Sequence, residues 1–112
     1  MMKETPLSEL NFSDFSAQID TKFVFFPETL PPVELTLRTA KPWALGRCIG
    51  EDEAKPPVSF SLVFLGPPKP FLSQQMYRVE HPVIGAFPLF IVPVGKRPEG
   101  FLYEAVFNRG PG

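Results

Sequence analysis

A chain of 112 residues with 12 phenylalanines, 15 prolines and 8 glycines has room for one core, and reads as a single domain (1–112) of short, sharply punctuated elements. Its 11 basic and 12 acidic residues are mixed along the chain, which excludes the basic stripe that a nucleic-acid surface needs. The one cysteine, Cys48, excludes an internal disulfide and a Cys-rich zinc site.

The opening "MMKETPLSEL" lacks the apolar core of a secretory signal, and no apolar run approaches the ~18 residues of a membrane span. The expectation is a cytoplasmic protein with no membrane span. Next, "LNFSDFSAQID" places Phe12, Phe15 and Ile19 at i, i+3, i+7, one face of a short helix, with Asn11 as its N-cap and Asp14 in its first turn. A helix this short cannot persist alone in water, so it must lie on something apolar.

The period then changes from 3.6 to 2. "KFVFF" (22–26) reads as a strand halted by Pro27. "VELTLRTA" (33–40) turns Val33, Leu35 and Leu37 one way and Glu34, Thr36 and Arg38 the other. "VSFSLVFLG" (58–66), "MYRVEH" (76–81), "FPLFIVPV" (87–94) and "FLYEAVF" (101–107) complete six strands. Alternation of this kind belongs to antiparallel sheets with one face on a core. "HPVIG" and "RPEG" supply hairpin turns, with Gly85 and Gly100 closing them and Gly100 expected in the left-handed region. Strands four, five and six should therefore form a meander. Pro88 and Pro93 cannot donate ladder bonds, so the fifth strand should pair mainly over Leu89–Val92, with a bulge or an end at each proline.

Between the second and third strands, residues 41–57 fit no template. The segment holds the only tryptophan, the only cysteine and the acidic run Glu51-Asp52-Glu53. A connection of this length is commonly functional. Trp43, Leu45 and Ile49 are therefore the candidate partner-binding residues, weighed against a simpler role in which Trp43 caps one end of a barrel.

No catalytic, cofactor-binding or metal-binding set emerges. Glu80 and His81 are adjacent on a strand and point to opposite faces, so they cannot pair as acid and base. His81 reads as a turn-flanking side chain ahead of Pro82, bonded to backbone or water. Nothing in the sequence activates the Cys48 thiol, and a free cysteine beside Ile49 reads as a small apolar residue. The three carboxylates lack the alternating spacing and the glycine of a calcium loop and read as a solvated charge run.

The strings "DF" (Asp14-Phe15), "VELTL", "FSLVFLGP", "YRVEHPVIG", "LFIVPVG" and "YEAVFN" occur in this order. The set resembles a group of small bacterial proteins catalogued as a domain of unknown function, over about Asp14 to Asn108. The chain departs from that pattern at Asp20 and Gln75, where glycine is expected. The resemblance implies a non-catalytic accessory protein, a companion of phage-tail-like or surface assemblies, and carries over no functional residue.

The expectation is an all-β fold, a small antiparallel barrel or rolled sheet of about six strands with one short N-terminal helix. Its expected role is a non-enzymatic interaction or assembly module acting on a protein partner or on copies of itself, without cofactor. The alternative is a barrel that holds a small ligand in its interior.

Overall fold

The computed structural model describes residues 3–43 and 59–108. Within them a one-turn helix, α1 (Phe12–Ser16), precedes six strands: β1 (Lys22–Phe26), β2 (Val33–Trp43), β3 (Ser59–Gly66), β4 (Gln75–His81), β5 (Gly85–Arg97) and β6 (Gly100–Asn108). All pair antiparallel, and the sheet rolls up until β4 meets β1, closing a barrel in the order β1-β2-β3-β6-β5-β4. The meander of the last three strands is present, with β4 beside β5 and β5 beside β6.

Period-2 patterning makes the barrel. Phe23 and Phe25, then Val33, Leu35 and Leu37, then Phe60, Leu62 and Phe64 are buried, as are Tyr77 and Val79, Phe87, Leu89 and Ile91, and Tyr103, Ala105 and Phe107. Each set is one face of its strand, and together they fill the interior. Burying each phenylalanine contributes on the order of 1.5–3 kcal/mol.

Both barrel ends are plugged. At one end Phe15, fully buried on α1, sets its ring centroid 6.2 Å from Phe23, 5.9 Å from Phe60, 5.8 Å from Phe87 and 5.3 Å from Phe107. The helix is shorter than its apolar spacing suggests. It stops at Ser16, and Ile19 lies in the following turn, still packed against the core. At its start the Asn11 amide donates to Asp14 Oδ2 at 2.7 Å, so Asp14 supplies the capping acceptor. At the other end Leu72 enters the core from the loop after β3. Its amide donates to Tyr103 Oη at 2.9 Å, while Tyr77 Oη donates to the Ser73 carbonyl at 2.8 Å.

β2 and β5 exceed their sequence boundaries most. β2 continues through Lys41, Pro42 and Trp43, which lie opposite Ser61, Phe60 and Ser59, after a register shift between Leu37 and Thr39. The segment expected to be irregular from residue 41 therefore gives up its first three residues to the sheet. β5 runs 13 residues through both prolines. The shift expected at Pro93 is present, between Pro93 and Gly95. At Pro88, opposite Arg78, pairing continues without a shift.

Local geometry explains the difference at Pro88. The Ala86 amide donates to the Lys3 carbonyl at 2.7 Å, and the Thr5 amide donates to the Ala86 carbonyl at 2.8 Å. Ala86 thus directs both backbone groups away from β4, toward an N-terminal strap running parallel to β5. Two residues on, the Pro88 nitrogen points the same way, so its missing proton takes no bond from the β4 ladder.

Asp20 is the one non-glycine described with positive φ, at 70°. This left-handed position coincides with the glycine that the family pattern leads one to expect, and aspartate is among the few residues that tolerate it. Gln75, by contrast, opens β4 as a strand residue opposite Ile91. Asp20→Val should lower stability by about 1–2 kcal/mol in urea unfolding, whereas Asp20→Gly should stay within about 0.5 kcal/mol of wild type. Equal stability of all three would contradict the left-handed turn.

Candidate functional site

The residues singled out in the long loop separate. Trp43 ends β2, its backbone opposite Ser59 at the rim of the barrel. Leu45 and Ile49, with Cys48 and the Glu51–Glu53 run, lie outside the described residues.

His81 is more interior than its place before a proline suggests. It is 1% exposed, and its ring centroid lies 4.2 Å from that of Phe23. The Val83 and Ile84 amides approach Nδ1 at 3.1 and 3.3 Å, and Thr21 Oγ1 lies 2.9 Å from Nε2. Two amide donors facing Nδ1 make it the acceptor, so the ring proton sits on Nε2 and is donated to Thr21 Oγ1. That hydroxyl donates onward to the Gln18 carbonyl at 2.7 Å. Burial holds the imidazole pKa below its ordinary 6.5. The turn-flanking role stands, performed from inside the barrel, where both ring nitrogens are occupied. Glu80, on the outward face, bonds Arg78 Nε at 3.2 Å.

The outer surface carries an apolar pair that was not singled out in the sequence. Met76 on β4 and Phe90 on β5 are register partners, 54% and 45% exposed. Pro88 and the charged pair Arg78–Glu80 lie in the next rows. Val106, also exposed, belongs to the half of β6 beyond Glu104, the last β6 residue to pair with β5. The signal was available: if Tyr77, Val79 and His81 face inward, Met76 must face outward with Arg78 and Glu80. Met76 and Phe90 thus form an apolar cross-strand pair beside charges on a solvated face.

An open groove of about 510 Å³ lies at the barrel rim, lined by Val24, Pro32, Val33, Glu34, Pro67, Lys69 and Pro70. Among the described residues, no cluster of three His, Cys, Asp or Glu side chains could hold a metal ion, and no helix is long and apolar enough to cross a membrane.

The chain belongs to a family described as a domain of unknown function (DUF6916), whose model matches residues 10–107, from Leu10 at the entry to α1 to Phe107 at the end of β6. No curated protein and no solved structure matches it.

Proposed function

We propose that this domain is a non-enzymatic protein-interaction module that docks a partner on the outward face of β4 and β5. The observation that carries this reading is the exposed pair Met76–Phe90, held in register on a rigid sheet and bordered by Arg78 and Glu80. Apolar anchors inside a polar rim are the usual anatomy of a docking surface. An accessory role within a larger phage-tail-like or surface assembly, the expectation drawn from the sequence resemblance, is compatible with such a module. His81 supports the non-enzymatic part, because its ring nitrogens serve the turn and Thr21 rather than a cleft.

The alternative, a ligand-holding barrel, has less support. Rings from β1, β3, β5 and β6 converge on Phe15 where a ligand would sit. The groove at the rim opens to solvent.

The test is Met76→Lys with Phe90→Lys. Both side chains already face water, so the double variant should unfold within about 1 kcal/mol of wild type. Cross-linked complexes formed by wild type in its native cell, or self-association seen by light scattering, should be lost. A variant that retains every complex would refute this face as the docking surface.

A further inference from the structure

We propose that His81 is an acid-operated latch for the N-terminal strap: a second proton on its ring, taken from solvent at Nδ1, frees residues 3–5 from the edge of β5. This goes beyond the docking reading and does not depend on it.

The latch is a chain of contacts. His81 Nδ1 accepts from the amides of Val83 and Ile84 and so shapes the turn between β4 and β5. The Ile84 carbonyl accepts from Thr5 Oγ1 at 2.8 Å. Next along, Ala86 holds Lys3 and Thr5 through its own amide and carbonyl. Gly85, at φ 106°, lets the strap approach this closely, since a Cβ there would stand 2.7 Å from both the Lys3 carbonyl oxygen and Thr5 Oγ1. One imidazole nitrogen therefore fixes the turn on which the strap is moored.

Protonating Nδ1 replaces an acceptor with a donor that faces two other donors, so both bonds are lost. Nε2 already carries its proton for Thr21 and offers no alternative acceptor. The imidazolium, now between Phe23 and the barrel interior, is stabilised by moving with its turn toward water.

The charged groups on the surrounding elements are engaged elsewhere. On β4, Arg78 bonds Glu80 at 3.2 Å and Glu4 of the strap at 2.7 Å. Asp20, ahead of β1, pairs with Arg38 at 3.7 Å, and Lys22 on β1 with Glu34 at 3.7 Å. Lys3 is exposed and meets the turn through its carbonyl, and residues 85–91 of β5 include no ionisable side chain. The response is thus assigned to the imidazole alone, and this is the only histidine in the chain.

The sign follows from the opened turn binding the proton more readily than the closed one. The strap is fully held above the ordinary imidazole pKa of about 6.5 and weakens as pH falls below it. What release uncovers is the Ala86 amide and carbonyl, an open strand edge of the kind that accepts an added strand.

Amide hydrogen exchange between pH 7.5 and 5.5, corrected for intrinsic rates, tests this on the full chain. Protection of Thr5, Ile84 and Ala86 should fall by about tenfold, the equivalent of one or two hydrogen bonds, while Leu62 and Ala105 in the β3–β6 ladder stay protected. The wild-type imidazole ¹⁵N shifts should report the Nε2–H tautomer at neutral pH and titrate with the same midpoint as the strap amides. His81→Asn, which keeps an acceptor near the Nδ1 position and cannot titrate, should hold the strap equally at both pH values. Strap protection that ignores the imidazole titration overturns the proposal. So does a loss shared by strap and core amides alike, or a pH response that persists in His81→Asn.

Discussion

Phe15→Ala is expected to lower stability by about 3–5 kcal/mol, the range for removing a fully buried aromatic ring. It is among the largest effects of any single substitution in this chain, because one ring closes one end of the barrel. Its four aromatic neighbours come from β1, β3, β5 and β6, so no single strand can shift to fill the void. α1 has only five residues and holds its place by what Phe15 buries, since one helical turn has little stability of its own. The variant should therefore lose the helix along with the ring, with strongly reduced protection of the Gln18 and Ala17 amides that bond back into α1. Chemical denaturation measures the first effect and amide exchange the second. Phe12→Ala is the comparison: its ring meets Phe60 edge-on at 5.9 Å but is only half-buried, so it should cost appreciably less. Equal costs for the two would mean that Phe15 does not plug the barrel.

The six strands were legible because each signals itself locally. An alternation such as Val33-Leu35-Leu37 against Glu34-Thr36-Arg38 needs no knowledge of its neighbours. What was not legible depends on pairs distant in sequence. β5 was expected to be short because prolines normally interrupt a ladder. The direction of the Pro88 nitrogen follows only from Ala86 bonding to Lys3 and Thr5, more than eighty residues away in sequence. The burial of His81 likewise depends on β4 closing against β1, where Val24 meets Glu80. That closure turns the Tyr77-Val79-His81 face into the core. The same parity that hides His81 exposes Met76, so both belong to one inference that strand parity permitted. The emphasis on Trp43, Leu45 and Ile49 rested on the length of the segment and on the residue types it holds, not on a strand pattern. Of these only Trp43 lies among the described residues, as the last residue of β2.

Gly100→Val should prove at least as damaging as many core truncations, at about 3 kcal/mol or more, with a melting temperature lowered by roughly 10–20 °C. The sequence points to Gly100 as the left-handed residue of the "RPEG" hairpin. The structure keeps that positive φ and adds a second, stronger reason. Pro98 and Glu99 form a two-residue turn closed by the pair Arg97–Gly100, and Gly100 has φ 154°, outside the left-handed helical well but still a positive φ that L side chains rarely adopt. A Cβ there would overlap the Gly66 carbonyl oxygen and stand 2.8 Å from the Pro67 carbonyl carbon. Both obstacles are backbone, so no side-chain rotation relieves the contact. Gly66 and Pro67 also lead into the loop that carries Leu72 and Ser73 to the tyrosine pair, so displacing them loosens the second plug of the barrel. Three comparisons separate the explanations. Gly100→Ala should already incur most of the loss, because the first carbon makes the clash. Gly100→Asn should bring no relief, although asparagine tolerates the left-handed well. Gly95→Ala, whose Cβ would meet Leu102 at an ordinary 3.5 Å, should stay within about 1 kcal/mol of wild type. Rescue by asparagine would restore the turn explanation. Unchanged melting of Gly100→Val would mean that the β3 exit does not lie against the β5–β6 hairpin.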